Sequence, residues 1–206
     1  FTGIPATVGG AVFMNAGTNL GEIGPLIREV SIINKLGIPI NGIIGSSFFK
    51  NYLVEINYHT EKIFFYKSNK FLNKRKYRKY SSEYVSIIAD KPYINLKANI
   101  NDKLVNLKLL IDSGMGDGLL IFEDDSIKSS RKYFKDVLGR GLGGDIFGKK
   151  SRVSNLIINE FYFKDALVSY LDTTSIDRTE LVKGRNGSLG GGILKRFNWV
   201  IDYENE

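Results

Sequence analysis

An internal repeat constrains the fold of this chain more than any other feature of its sequence. Residues 41–58 and 186–203 align at one constant offset, as from Asn41 to Asn186. Six positions are identical in the two copies: Asn41 and Asn186, Gly42 and Gly187, Gly45 and Gly190, Lys50 and Lys195, Ile56 and Ile201, Tyr58 and Tyr203. In each copy the glycines precede a short apolar segment and then a strand-like run, a pattern typical of a close backbone approach followed by a return into a sheet. The repeat therefore predicts two related halves.

The repeat extends upstream of these segments with a different spacing. Val30-Ser31-Ile32-Ile33 corresponds to Val168-Ser169-Tyr170-Leu171, at a shorter offset than that of the downstream segments. The difference predicts a longer loop in the second half.

The local sequence pattern is mostly of the strand type. Apolar and polar residues alternate in four runs: Leu53–Tyr66, Tyr93–Ile100, Leu104–Ile111 and Phe161–Leu171. Asn101-Asp102 separates two of these runs and predicts a tight hairpin. Helical signals are few, and Asp124–Leu138 is predicted to hold one or two short helices. The chain is predicted to be mainly β.

The positive charge of the chain is concentrated in one short segment. The formal net charge is +7, and seven basic residues without an acidic one lie between positions 67 and 79: Lys67, Lys70, Lys74, Arg75, Lys76, Arg78 and Lys79. The remainder is neutral, so the overall basic surface of a nucleic-acid-binding protein is not expected. Residues 67–84 are predicted to form a basic linker. Phe71, Tyr77 and Tyr80 interleave with the charges, which leaves stacking on single-stranded bases as the alternative.

The residue types that are missing exclude several kinds of site. The 206 residues contain no Cys and a single His, His59. Disulfides, thiolate nucleophiles and cysteine or multi-histidine metal sites are therefore not expected. No apolar run approaches the roughly 18 residues of a membrane helix, so no transmembrane span is expected. With no initiator Met and no leader, the chain is expected to be part of a longer product; its compartment stays open, extracytoplasmic or secreted locations included.

Asp112-Ser113-Gly114 is the candidate chemical segment. It follows the hydrophobic run Leu109-Leu110-Ile111, so a strand is predicted to deliver a carboxylate, a hydroxyl and a glycine to a sharp turn. Together with a second carboxylate, Asp112 could share a proton and divide acid and base roles over a water molecule. The alternative is an ordinary Asp-Ser-Gly turn.

This segment resembles the signature of pepsin/retropepsin-like aspartic peptidases, in which two apolar residues precede Asp-Thr/Ser-Gly. Such lobes also carry an apolar-apolar-Gly turn beside the catalytic loop, to which Ser188-Leu189-Gly190 is similar, with Ser in place of the first apolar residue. Residues 139–148 resemble the glycine-rich flap that covers substrate. The resemblance implies that Asp112, Ser113 and Gly114 form the catalytic segment. It also implies that four residues of the flap bind the substrate: Gly141, Leu142, Gly143 and Gly144.

The resemblance implies an aspartic-peptidase-like closed barrel lobe at residues 85–206. Residues 1–66 would be the C-terminal part of another, related lobe, which comes first in the chain (the first lobe), and residues 67–84 would join the two. The implied reaction is hydrolysis of a peptide or protein substrate by water activated between two Asp residues, and it is expected to need no metal or organic cofactor. A module of the same fold that binds peptides without turnover is the alternative.

The second Asp of such a pair is absent from the first half. No Asp occurs before Asp90, and both repeat offsets assign the counterpart of Asp112 to a position upstream of Phe1. Activity would then need an N-terminal segment beyond this sequence, or a second copy that pairs one Asp112 with another. Asn15-Ala16-Gly17-Thr18 could be a decayed motif, but too little chain separates it from Ile43-Ile44-Gly45 to enclose a lobe.

The N-terminal stretch carries a competing resemblance. Gly3-Ile4-Pro5-Ala6-Thr7-Val8-Gly9-Gly10-Ala11, with Asn15-Ala16-Gly17 and Gly21-Glu22-Ile23 after it, is similar to the flavin-binding loop of UDP-N-acetylenolpyruvoylglucosamine reductases. In that family the small residues let backbone amides approach the FAD pyrophosphate. The resemblance covers about residues 3–30 and implies an FAD-dependent oxidoreductase fragment. The alternative assigns the same glycines to the flap and turns of the first lobe.

Overall fold

A computed structural model describes residues 46–67, 80–130, 132–141, 144–171 and 182–203. Residues 1–45, which hold most of the predicted first lobe and the reductase-like stretch, lie outside the described residues, as do residues 68–79 of the predicted linker and Leu142 and Gly143 of the predicted flap. The backbone packs as two units, one drawn from residues 1–80 and 195–206 and the other from residues 81–194.

The first unit is a three-stranded antiparallel sheet. Helix α1 (Ser46–Phe49) leads into β1 (Leu53–Asn57) and β2 (Lys62–Tyr66), and β11 (Asn198–Asp202) pairs with the other edge of β1. Five rings pack within this unit at centroid distances of 5.3–6.1 Å: Phe48, Phe49, Tyr52, Phe65 and Tyr203. Edge-to-face and offset contacts of this kind contribute beyond simple burial of apolar area. The small sheet thus carries an aromatic cluster, in which Phe65 stays 40% exposed.

The second unit is built on one eight-stranded sheet. Its strands are β3 (Val85–Ile88), β4 (Lys91–Ile100), β5 (Lys103–Asp112), β6 (Leu119–Phe122), β7 (Phe134–Gly141), β8 (Gly144–Ile158), β9 (Phe161–Leu171) and β10 (Arg185–Gly190). They lie in the order β3-β4-β5-β10-β6-β9-β8-β7, and an additional β4–β8 pairing joins six of them into a ring of hydrogen-bonded strands. The prediction of a mainly β fold is confirmed, and where a closed barrel lobe was predicted the hydrogen bonds of the sheet run in a ring.

Alternation along the strands explains where the core of the second unit lies. Neighbouring strands direct their buried side chains to the same face, as in the pairs Leu119 with Val168 and Ile121 with Tyr170. Ten apolar side chains of this unit are at most 1% exposed: Ala98, Leu107, Leu109, Leu119, Ile121, Val153, Leu156, Val168, Tyr170 and Leu189. The interior of the ring is therefore a packed apolar core.

The local turns agree with the sequence in one case and differ in another. Asn101 and Asp102 have φ of 48° and 63° and connect β4 to β5, which confirms the predicted hairpin. The helix expected within Asp124–Leu138 is wrong, because Phe134 begins strand β7. Asp124 Oδ1 does accept the backbone N–H groups of Ser126 and Ile127 at 2.8 Å, in the manner of a helix cap, but the described residues after it continue without a helix.

The secondary structure repeats with the same offset as the sequence. Helix α2 (Gly191–Leu194) begins at the counterpart of Ser46, the first residue of α1, and β11 begins at the counterpart of Leu53, the first residue of β1. Both copies of the repeat therefore fold as a one-turn helix followed by a short strand. Among the described residues no helix has the length and apolarity to cross a membrane.

Candidate functional site

Asp112 ends strand β5 and begins a tight turn. Its Oδ1 accepts the N–H of Gly114 at 3.0 Å, and its backbone carbonyl accepts the N–H of Met115 at 3.2 Å. Asp112 is partly exposed, so its carboxylate keeps access to solvent. Within the described residues the donor to this carboxylate is the Gly114 amide, and Ser113 forms no hydrogen bond with it. The local sequence thus produces a carboxylate oriented by its own turn.

Strand β10 lies between β5 and β6 and meets this turn. It runs parallel to β5 and antiparallel to β6, so that Gly190 is the register partner of Asp112. The N–H of Gly190 donates to the Gly118 carbonyl at 2.9 Å, and the N–H of Gly191 donates to the Met115 carbonyl at 2.7 Å. The structure therefore brings the Ser188-Leu189-Gly190 segment against the loop that follows Asp112.

The close approach of these segments requires glycine in β10. A Cβ on Gly190 would lie 2.2 Å from the Asp117 carbonyl oxygen and 2.5 Å from Met115 Cε. A Cβ on Gly187 would lie 1.8 Å from the Leu120 carbonyl oxygen. Backbone cannot give way as the end of a side chain can, so these glycines are fixed by packing.

Arg185 is a residue of this site that the sequence did not indicate. Its Nε donates to the Gly187 carbonyl at 3.0 Å and its Nη2 donates to Ser188 Oγ at 2.8 Å. The guanidinium lies over the ring of Phe122, 5.3 Å from its centroid. Burial lowers the pKa of Arg185, while the charges of Tyr93 and Asp112 act in the opposite direction. The one signal that could have pointed to Arg185 is Ser188, a polar residue that stands in the sequence where the pattern has an apolar one.

Three acidic residues that follow Asp112 in the chain have separate partners. Asp117 accepts a short hydrogen bond from the hydroxyl of Ser169, and Glu123 pairs with Lys149 at 2.5 Å. Asp124 is occupied by the backbone N–H groups that follow it. No group of three or more potential metal ligands occurs in the ranges that the structure describes.

Strands β7 and β8 form the hairpin predicted as a flap. Gly141 and Gly144 are register partners at its end, and Leu142 and Gly143 between them lie outside the described residues. Val137 and Phe147 face each other across the hairpin and are 47% and 55% exposed. The hairpin therefore presents an apolar pair to solvent.

Two ion pairs hold the base of this hairpin. Lys150 Nζ lies 2.9 Å from Asp136 Oδ2, which links β8 to β7. Lys149 links β8 to Glu123, just after β6, and its Nζ lies 5.2 Å from the ring centroid of Tyr133. The hairpin is thus tied by charge both internally and to the body of the ring.

Comparisons with known proteins bear on a different part of the chain. No protein-family model matches it. One curated protein, the UDP-N-acetylenolpyruvoylglucosamine reductase of Chlamydia pneumoniae, is 57% identical over 35 residues in the N-terminal region. The matched stretch is 17% of this chain and 12% of the reductase, so the chain matches a small part of that protein's length.

Proposed function

We propose that this chain contributes Asp112 as one of the two catalytic carboxylates of an aspartic peptidase. The observation that carries the proposal is the position of β10 between β5 and β6, with Gly190 opposite Asp112. This arrangement joins the two segments that resemble the peptidase signature, although Gly114 and Leu189 are far apart along the chain.

The repeat supports the same proposal. Enzymes of this kind use two carboxylates that approach each other closely, which suits a protein made of two related halves. In β1 and β11 the two copies of the repeat pair with each other, and Glu55 lies opposite its own counterpart Val200. Such pairing relates the two strands by a local two-fold axis.

In the proposed reaction a water molecule is held between Asp112 and a second Asp. One carboxylate accepts a proton from the water as it attacks the peptide carbonyl, and the other, protonated, donates to the carbonyl oxygen or the leaving nitrogen. The Gly114 N–H favours a fixed orientation of the Asp112 carboxylate. The β7–β8 hairpin would bind the substrate backbone by strand pairing and exclude water.

In the proposal the second Asp comes from another polypeptide segment or from a second copy of the chain, because the first half, residues 1–89, contains no Asp. The test therefore uses the protein as the cell makes it as well as this chain at concentrations that permit self-association. Cleavage of an unbiased peptide mixture is expected at acidic pH, with inhibition by pepstatin.

Asp112→Asn is the decisive variant, and Asp102→Asn is its matched control. Asp102 immediately precedes strand β5 and Asp112 ends it, and Asp102 lies in an exposed turn with positive φ that Asn adopts readily. Loss of cleavage by about 100-fold or more is expected for Asp112→Asn and none for Asp102→Asn. Full activity of Asp112→Asn would refute the mechanism, and saturable peptide binding without turnover in the wild type would support the peptide-binding module instead.

A second candidate function rests on the reductase match. We propose as the alternative that the N-terminal region is a fragment of an FAD-dependent oxidoreductase, because its identity to the reductase reaches 57% over 35 residues. Purified protein that retains flavin would absorb at about 450 nm, an expectation from flavin chemistry. Colourless protein that does not bind added FAD would exclude this candidate without affecting the first.

A further inference from the structure

Arg185 and Ser188 occupy positions that are apolar in the other copy of the repeat. In the alignment of the two copies, Arg185 corresponds to Ile40 and Ser188 to Ile43. The flanking residues Asn186, Gly187 and Gly190 are identical to their counterparts in the first copy. Two apolar residues of one copy are therefore replaced by two polar residues in the other.

In the structure these two polar residues are partners. Ser188 is 2% exposed, and its hydroxyl accepts from Arg185 Nη2 at 2.8 Å. A buried hydroxyl without a partner is costly, and the guanidinium removes that cost. Arg185 is itself held by the Gly187 carbonyl and the ring of Phe122. The planar guanidinium directs two separate nitrogens, Nε and Nη2, at these two acceptors in a fixed geometry, whereas Lys would have to reach both from a single ammonium nitrogen.

The pair lies at the point where β10 is aligned with the catalytic segment. Ser188 is the register partner of Leu110, and Gly190 is the register partner of Asp112. Because side chains alternate along a strand, Ser188, Leu110 and Asp112 belong to one face of the sheet. The bonds from Arg185 to Gly187 and Ser188 span the part of β10 where the register with β5 shifts.

We infer that Arg185 is a positioning residue: with Ser188 it fixes the register of β10 and thereby holds the loop that carries Asp112. The effect on catalysis rests on the proposed function. The effect of Arg185 and Ser188 on the register of β10 does not.

Hydrogen exchange tests the inference independently of activity. The N–H groups of Gly190 and Gly191, which donate to Gly118 and Met115, report attachment of β10 to the loop. Arg185→Ile is expected to raise their exchange rates about tenfold or more, because the buried Ser188 hydroxyl loses its partner. The amides of β8 and β9 serve as the internal reference, because neither strand contains a substituted residue.

The double variant Arg185→Ile with Ser188→Ile distinguishes a coupled pair from two independent residues. It introduces the residues found at Ile40 and Ile43, and we expect exchange at Gly190 and Gly191 to return to within about threefold of wild type. Exchange at Gly190 and Gly191 that is as fast in the double variant as in Arg185→Ile would overturn the inference. So would a wild-type rate in Arg185→Ile.

A milder variant covers the case in which Arg185→Ile does not fold. Arg185→Lys keeps the charge and loses the planar guanidinium, so an increase of several-fold in exchange at Gly190 and Gly191 is expected. Wild-type exchange in Arg185→Lys would overturn the inference. If the peptidase is active, the same variant should lower kcat while KM stays within about twofold. A failure of cleavage in the wild type would refute the proposed function and leave the exchange result standing.

Discussion

Glu55 and Val200 lie directly opposite each other in the antiparallel pair of β1 and β11, and they are also equivalent positions of the internal repeat. The pairing is symmetric on either side of them. Leu53 pairs with Asp202, the equivalent of Asn57, and Asn57 pairs with Asn198, the equivalent of Leu53. The two copies of the repeat are therefore related in this sheet by a local two-fold axis that passes through the Glu55–Val200 pair.

The symmetry is broken where the two residues differ. Glu55 is 1% exposed and its Oε2 accepts the hydroxyl of Tyr66, on β2, at 2.8 Å. Val200 needs no such partner. A buried carboxylate has to be hydrogen-bonded to be tolerated, so the Tyr66 hydroxyl contributes to stability at the centre of the sheet.

Tyr66→Phe is predicted to destabilise the protein by about 1–3 kcal/mol, because a hydrogen bond to a buried carboxylate is lost. Urea denaturation measures the change. Tyr84→Phe removes the same atom from a side chain that is 66% exposed and is expected to have no effect beyond about 0.5 kcal/mol. Equal effects of the two substitutions would show that the Tyr66 hydroxyl bond contributes nothing.

The fold could be predicted from the sequence where local pattern and repeat agree. The alternating runs predicted strands at β1, β4, β5 and β9, and the Asn101-Asp102 pair predicted the turn between β4 and β5. Asp124 misled the prediction, since its capping hydrogen bonds resemble a helix start while Phe134 already begins a strand.

The site could be predicted only in part. Asp112 and Gly190 belong to the Asp112-Ser113-Gly114 and Ser188-Leu189-Gly190 segments, which the sequence alone identifies as candidates. Their proximity depends on the position of β10 between β5 and β6, and no local sequence pattern encodes that strand order. Arg185 was not predicted, because an arginine before a glycine turn looks like an exposed residue. Its role depends on the burial of Ser188, which follows from packing between β5 and β6.

Gly190→Ala is predicted to destabilise the second unit by about 1–3 kcal/mol or more, because its Cβ would meet backbone in the Asp112 loop. The contact at fault is the Asp117 carbonyl oxygen at 2.2 Å. Gly116→Ala is the matched control in the same loop, since a Cβ there meets nothing within 4 Å. A Gly190→Ala midpoint in urea equal to that of Gly116→Ala would contradict the close packing.

Glu123→Gln is predicted to change the pH dependence of stability. Burial acts to raise the pKa of Glu123, but hydrogen bonds from Lys149 and Ser129 outweigh it, so the pKa lies below the ordinary value of 4.5. A carboxyl whose pKa is lowered in the folded state stabilises that state above the unfolded pKa, and the contribution is lost as the pH falls through the folded pKa.

The stability difference between wild type and Glu123→Gln should therefore be on the order of 1 kcal/mol at pH 7 and shrink below about pH 4.5. Denaturation midpoints from pH 3 to pH 7 measure it, with exposed Glu83→Gln as the control. A difference that is the same at both ends of this range would mean that the charge of Glu123 is not what stabilises the fold.

Tyr170→Phe is predicted to be neutral or stabilising at pH 7, within about 0.5 kcal/mol of wild type or above it. Tyr170 is fully buried, and its hydroxyl has no hydrogen-bond partner among the residues that the structure describes. Replacing an unpaired polar group by hydrogen removes a desolvation cost without removing a bond.

The same substitution should protect the fold at alkaline pH. Burial, with a smaller effect from the charge of Glu123, raises the pKa of Tyr170 to about 12. The neutral phenol is thus favoured in the folded state, and this contribution is present below the ordinary value of 10.0 and lost as the pH rises toward 12. As the pH rises from 9 to about 12, the wild type should therefore lose more of its free energy of unfolding than Tyr170→Phe does. Tyr162→Phe is the control: Tyr162 is 65% exposed, and this variant should behave as wild type. A destabilisation of Tyr170→Phe by more than about 1 kcal/mol at pH 7 would instead mean that the hydroxyl makes a hydrogen bond in solution.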